Sequence, residues 1–571
     1  MNNSSIVFGT AATEPKQQVF SFQDLSFTIE GLSIKNICVQ ETEILREVAF
    51  LVRDADWGTI NPNDVCIKNF DPEKPELIIS AVYENQGARL SVSLMITYDE
   101  RSFSVSAAAD ADDDFETNRT GFTVLHPLSV SGCPTVVKKV DGKVVQSSFP
   151  ALIEPWQPFT EFNSITHEAQ GYRVVCDLVG DIFEMEDQRQ WGDASFKTYN
   201  RPLAQPWPYV ILAGQCIHQS VSVTWATCEF QKSNSLPVIE DGLFPEMALV
   251  LDADDADTVR NDHTDLLKVC PQRLLCHIDC ELGDLETQIS KFAALKSALG
   301  QFIYDVELIC KFDANPREEL EHINDLFALN KFCPNSILIC PSVDRQSTPP
   351  GSVWPECPPL TEIYIAASEV FSNTYLGGGM VSFFPELNRK RPPLDHIRFV
   401  SHGLCPIIHA ADDVSVMRTL DTIPYIIQTA RSFIKDREYR IGPSTIAMRQ
   451  NPYGSKTFAN PLNQRICMTH DDPRHKARFG AAYILGLGTR LAYSGVKVWT
   501  PCAVTGPRGL NAANIDLLTH LSKMSGYKVR QANFQKETVT LIAGDQNLEG
   551  NLTPKSSGNL GPYEWRGQAI S

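Results

Sequence analysis

The feature that most restricts the fold is a change of pattern near residue 240. From there the chain alternates short apolar runs with amphipathic stretches, strand then helix, through eight cycles. Strand candidates fall at 245–252, 273–279, 304–312, 336–343, 380–386, 405–410, 438–446 and 496–503. Helical stretches at 284–299, 316–329, 360–371, 414–434 and 473–492 lie between them. Eight such units in about 260 residues have the size of a closed α/β TIM barrel, (β/α)8. The competing architecture, a doubly wound open sheet, carries a glycine-rich phosphate turn directly after a strand. Gly377-Gly378-Gly379 is read as preceding a strand and does not supply that turn.

Residues 15–235 obey another rule. Segments such as Glu76–Tyr83, Ala88–Thr97 and Ser220–Trp225 alternate with period two and are broken by polar turns, and no long amphipathic helix intervenes. Many short alternating segments predict an antiparallel β-sandwich. Short strands return after residue 505, at Tyr527–Arg530 and Glu537–Ala543, in a tail too small for a core of its own. The expected layout is an N-terminal β-sandwich domain over 1–239, a catalytic barrel over 240–505, and a C-terminal β extension over 506–571 that packs on the sandwich.

Composition narrows the partners. A net charge of −19 over 571 residues argues against a nucleic acid or an anionic membrane, because polyanions need basic patches. A small neutral or weakly charged substrate remains compatible. No apolar run reaches the roughly 18–20 residues that span a bilayer, and the N-terminus lacks a basic and apolar leader, so a cytoplasmic location is expected. The 16 cysteines are scattered, several inside apolar runs, which is how reduced structural thiols behave. Cys276-His-Ile-Asp-Cys280 resembles a half-set of metal ligands, but no second pair at zinc spacing accompanies it. No metal and no other cofactor is expected. The sequence leaves the oligomeric state open, a homo-oligomer included.

The chemistry-bearing residues gather where barrel strands are expected to end, which is the mouth of such a barrel. Glu386 ends the fifth strand candidate, with Asn388 and Arg389 just beyond it. His409 ends the sixth, with Asp412 and Asp413 following; one of those acids also suits the cap of the next helix. Ser444 and Arg449 lie at or just after the seventh strand, and Asp252 and Asp254 end the first. Outside the barrel, residues 181–199 interleave Glu184, Glu186, Asp187, Arg189, Asp193 and Lys197 with Phe183, Trp191, Phe196 and Tyr199. Such a mixture suits a polyol pocket or a loop packed over another domain. His470-Asp-Asp-Pro-Arg-His475 has metal-like content but reads better as a helix start.

The segments FEMEDQRQWGDASFKTY, GGGMVSFFPELNRKRP, CPIIHAADDVSVMRTL and YRIGPSTIAMRQNPYG, with DPRHKARFGAAYILG, together resemble the D-apionate lactonase family. The resemblance covers roughly residues 180–510. It implies an N-terminal β domain, a TIM barrel, a small C-terminal domain, and hydrolysis of D-apionolactone to D-apionate in apiose breakdown. The barrel with a flanking sandwich is also similar to clan A glycoside hydrolases, which need paired carboxylates. The seventh strand candidate offers no acid, which disfavours that chemistry. A non-catalytic carbohydrate-binding barrel is the third reading. The expected mechanism is attack by water on a sugar lactone. Glu386 serves as base, alone or with His409 oriented by Asp412. Asn388, Arg389 or Arg449 stabilises the oxyanion, and Glu184, Arg189, Trp191 and Lys197 hold sugar hydroxyls. Glu386 and His409 are expected to emerge side by side into a single water-filled cup.

Overall fold

The computed structural model describes residues 3–55, 57–68, 75–229, 242–454, 456–535 and 537–570. It divides into two compact units. One comprises residues 14–189 and 194–235; the other comprises 1–13, 190–193 and 236–571.

The first unit is a sixteen-stranded antiparallel sheet. Its alternating segments behave as the period-two pattern requires. In the strand Glu76–Asn85, Leu77, Ile79, Ala81 and Tyr83 are buried while the residues between them are not. That strand pairs with Ala88–Tyr98 through a two-residue turn, Gln86-Gly87, in which both residues have positive φ (51° and 88°). This is the turn geometry whose twist matches a hairpin. Phe27 lies on the second strand in sheet order and Phe103 on the eleventh, yet their rings meet at 5.4 Å. The sheet therefore folds over a single apolar core, as a sandwich does.

The second unit is built on a closed barrel of eight parallel strands. They are Glu246–Asp252, Arg273–Asp279, Ile303–Cys310, Ser336–Pro341, Tyr375–Phe383, Phe399–Gly403, Glu438–Pro443 and Val498–Ala503. Two of them begin earlier than the sequence suggested. The fifth strand contains Gly377, Gly378 and Gly379 rather than following them. The glycines are there for close packing: a Cβ on Gly377 would meet the Phe399 ring at 2.2 Å, and one on Gly378 the Tyr364 hydroxyl at 2.4 Å. The sixth strand is Phe399–Gly403, not 405–410. Its polar Ser401 and His402 hide it, but His402 is buried and satisfied, with its ring nitrogens 2.9 Å from the Gly403 carbonyl and 2.7 Å from the Tyr439 hydroxyl. The apolar run 405–410 is a buried loop that Pro406 keeps out of the ladder.

The tail also departs from expectation. After the helix Ile515–Met524, residues 529–569 form a separate four-stranded antiparallel sheet and do not extend the sandwich sheet. This sheet covers the helix Arg478–Leu491, whose side chains are buried nearly all round. Leu485 reaches Gly550, Gly486 lies against Leu552, and Arg490 stacks on Phe534 at 3.6 Å. A short helix, Asn3–Phe8, joins the same unit through Phe8, 6.2 Å from Phe479 and 5.6 Å from Tyr563. Residues 1–13 and 190–193 thus belong with the barrel, although the sequence placed both in the N-terminal domain. The expected boundary at 239/240 lies outside the described residues. No helix among the described residues is long and apolar enough to cross a membrane.

Candidate active site

The fifth barrel strand loses register with the sixth between Gly379 and Phe383 and turns directly into a short helix, Phe384–Lys390. Glu386 is therefore in the first turn of that helix, not on the strand. Pro385 favours the start and the helix dipole favours an acid there. Glu386 is only 1% exposed. Its Oε1 accepts hydrogen bonds from Ser347 Oγ at 2.6 Å and Arg389 Nη1 at 2.9 Å. Its Oε2 is buried with no hydrogen-bond partner among the described residues. Burial pushes this carboxyl above the usual range, while Arg389, Ser347 and the Thr348 backbone pull the other way without cancelling the rise. Asp344, on the loop after the fourth strand, is also raised by burial, against the pull of its partner Lys390. Its negative charge adds to the rise at Glu386. A carboxyl anchored through one oxygen, with its proton affinity raised by burial, meets the electrostatic requirement of a general base.

His409 lies on the loop after the sixth strand. Its Nδ1 is 2.6 Å from Asp193 Oδ2. Its ring meets Trp191 edge-on at 5.7 Å, and Trp191 in turn contacts Tyr453 at 5.4 Å. The Arg389 guanidinium is 5.9 Å from the Trp191 ring. Glu386 and His409 thus share one end of the barrel, but they do not emerge side by side into a water-filled cup: they are linked through Arg389 and Trp191, and Glu386 is buried. Asp412 was expected to orient His409. Its side chain instead accepts the Ser415 N–H at 2.9 Å and caps the helix Asp413–Arg418, and Asp193 is the carboxylate on the imidazole. Asp413 is ion-paired with Arg465 and Arg474. Asn388 is buried, and its Oδ1 accepts a hydrogen bond from Arg391 at 3.1 Å.

A second charged group, of which the sequence signals only Arg449 as a site residue, joins the third strand to the loop after the seventh. Glu307, 2% exposed, accepts a hydrogen bond from Arg449 Nη1 at 2.7 Å and lies 3.2 Å from His277 Nδ1. Arg449 Nη2 donates to the Val381 carbonyl at 3.1 Å, so this side chain bridges the third and fifth strands. Burial alone would push Glu307 up; Arg449 and His277 more than offset it and hold the carboxyl down to about 2. Glu307 is therefore a fixed anion that holds Arg449 in place. A charge inside a strand that is buried on both faces was the available signal, because such a residue must face the barrel interior. Nearer the N-terminal ends of the strands, Asp305 takes Ser336 Oγ at 2.6 Å and Arg273 at 3.1 Å beside a cavity of about 20 Å³, too small for a substrate.

The remaining candidates separate by unit. Arg189 is fully buried in the sandwich unit, doubly paired with Asp187 and donating to Ser131 and to the carbonyls of residues 150–152. That pattern locks a loop and leaves it no role as a substrate donor. Glu184 accepts from the Tyr199 hydroxyl at 2.6 Å and from the Leu203 N–H at 2.9 Å, and Lys197 pairs with Glu186 at 3.3 Å. Of the sugar-binding residues expected from this stretch, Trp191 is the one that belongs to the barrel unit. Ser444 is tied to Trp499 and Thr500, Asp254 to Lys291 on the helical surface, and Asp472 to Arg474.

The D-apionate lactonase N-terminal domain model matches residues 5–228, and the D-apionate lactonase TIM barrel domain model matches residues 247–530. A D-apionate lactonase of Brucella anthropi is 39% identical over 524 residues, spanning 89% of this chain and 85% of that protein. The chain belongs to the D-apionate lactonase family. It is accordingly a lactone-hydrolysing enzyme, a carboxylic ester hydrolase. Among solved structures, an α-galactosidase from Lactobacillus brevis aligns over 95% of this chain and 90% of its own at 8% identity, with a TM-score of 0.28. A putative aldose 1-epimerase from Escherichia coli K12 aligns over 37% of this chain and 100% of its own at 9% identity, also with a TM-score of 0.28. Likenesses at that level carry no argument about this lactonase family member. Its seventh barrel strand ends at Pro443, and the residues from there to Arg449 include no carboxylate. The paired acids of a clan A glycosidase thus lack their second member at that strand.

Proposed function

We propose that this enzyme opens D-apionolactone, or a closely related aldonolactone, to the aldonate, with Glu386 as the general base. The observation that carries the proposal is the state of that carboxyl: buried, raised in proton affinity despite Arg389, Ser347 and the Thr348 backbone, and held through Oε1 by Ser347 and Arg389, with Oε2 making no hydrogen bond among the described residues. Glu386 takes a proton from water as the oxygen adds to the lactone carbonyl carbon. The carbonyl oxygen becomes an oxyanion, for which Arg449 or Arg389 is the nearby cation. Collapse of that intermediate breaks the ring C–O bond, and the departing alkoxide receives the proton that Glu386 took from water, directly or passed on through Nε2 of His409. Asp193 fixes the imidazole so that Nε2 carries the reactive position. The products are a carboxylic acid and a hydroxyl, with one water consumed.

Following acid release across a panel of aldonolactones, against an enzyme-free control, tests this reading. Turnover concentrated on D-apionolactone and its near relatives is expected. Hydrolysis of aryl glycosides with no lactone opened, or saturable sugar binding without turnover, contradicts it.

A further inference from the structure

Cys280 follows the end of the second barrel strand, and Cys310 is the last residue of the third. These strands pair in parallel with Asp279 opposite Ile309, and the Cys280 N–H donates to the Ile309 carbonyl at 3.0 Å. The next residue on each side is a cysteine, so the register delivers the two thiols together. Glu319 completes the group from the first turn of the helix Pro316–Leu329. Its carboxylate accepts the N–H groups of Lys311 and Phe312 at 2.8 and 2.7 Å, which fixes it over the end of the third strand. The ligating atoms of Cys280, Cys310 and Glu319 all lie within 4.8 Å of one another. Cys310 is buried, while Cys280 and Glu319 are partly exposed. Beside them opens a depression of about 360 Å³ that Asp313 and His322 also line. His322 is three residues beyond Glu319, on the same face of the helix.

We propose that Cys280, Cys310 and Glu319 form a binding site for a zinc-class divalent ion, with the fourth position facing the depression and filled by water or His322. Two thiolates with a carboxylate are a donor set that zinc accepts in tetrahedral geometry. Ligand atoms around tetrahedral zinc are about 3.5–4 Å apart, so closing the group around an ion needs a shift of about an ångström or less. Binding replaces two S–H bonds with two metal–sulfur bonds and releases both protons to water, so occupancy increases with pH. The thirty-residue separation of the two cysteines matches no local zinc motif, and only strand pairing brings them together. The ion ties the ends of two barrel strands to a helix. Cys280 is flanked by Asp279 and Glu281, both of which pair with Arg345, two residues before the Ser347 that holds Glu386. The site brings no ligand from the groups assigned to lactone opening and stands independently of that reading.

The test is a Co²⁺ titration of the full chain after dialysis against a chelator, read by thiolate-to-cobalt charge-transfer absorbance in the near ultraviolet. One ion per chain is expected, displaced by Zn²⁺, with the band lost in Cys280→Ser and in Cys310→Ser. Cys66→Ser, in the sandwich unit, should keep it. Cys310 is fully buried, so Cys280→Ser, checked for native circular dichroism, is the deciding variant. As a second readout, Zn²⁺ should raise the melting temperature of the wild type and not that of Cys280→Ser. Absence of the band in the wild type, or its survival in folded Cys280→Ser, overturns the proposal.

Discussion

At the scale of single residues, opposite electrostatic settings separate two buried glutamates. Glu386 is raised because burial outweighs Arg389, Ser347 and the Thr348 backbone. Glu307 is lowered because Arg449 and His277 outweigh burial. A base must be ionised to act, so activity falls as pH drops through the raised value. The acidic limb of kcat/KM should therefore lie above 4.5, the unperturbed value for a glutamate. Glu307 acts in the opposite sense. Its depressed value stabilises the fold above 4.5, and that contribution is lost as pH falls toward about 2. Glu307→Gln should destabilise the protein by about 3–5 kcal/mol in denaturant titration, because it leaves Arg449 buried without its counter-charge. Asp193→Asn should lower kcat on the order of 10²–10⁴ while the melting temperature holds, since it removes the group that orients His409. Sequence pattern located Glu386, Arg389 and His409 because they follow apolar runs that read as strands. It named Asp193 within a charged cluster without giving it a role. Glu307 gives no such signal, because one acid inside Val306-Glu307-Leu308-Ile309 does not interrupt a strand pattern.

At the scale of elements, the bulge in the fifth strand is what positions Glu386. Gly379 has φ +125°, and a Cβ there would meet the Ser401 carbonyl at 2.2 Å. Gly379→Ala should cost at least about 2–3 kcal/mol and displace the helix Phe384–Lys390, read as a lowered melting temperature together with lost activity. The eight strand–helix cycles were legible because period-two and period-3.6 patterns persist through them. Two boundaries were not. A triple glycine reads as a break unless the Phe399 and Tyr364 rings that press on it are known. The run Pro406-Ile407-Ile408 reads as a strand because burial, not ladder pairing, selects its residues. Both errors arise from tertiary packing overriding local pattern.

At the scale of the whole molecule, local pattern gave the two kinds of architecture but not which segments join which unit. Residues 190–193 carry Trp191 and Asp193 into the barrel unit from within a stretch that otherwise belongs to the sandwich. Strand content alone places the tail with the sandwich, whereas the helix Arg478–Leu491, buried on nearly every side, needs a cover of its own. Deleting residues 528–571 should therefore expose Leu485 and its neighbours and yield protein that aggregates or binds hydrophobic dye, even though the barrel's eight strands are intact.

The central claim is that Glu386 activates the water that opens the lactone. The most direct measurement is kcat/KM on D-apionolactone across pH for the wild type and for Glu386→Gln, a nearly isosteric change. The account predicts a loss on the order of 10²–10⁴ in the variant and disappearance of the acidic limb. Turnover within a few-fold of wild type, with that limb still present, would contradict it.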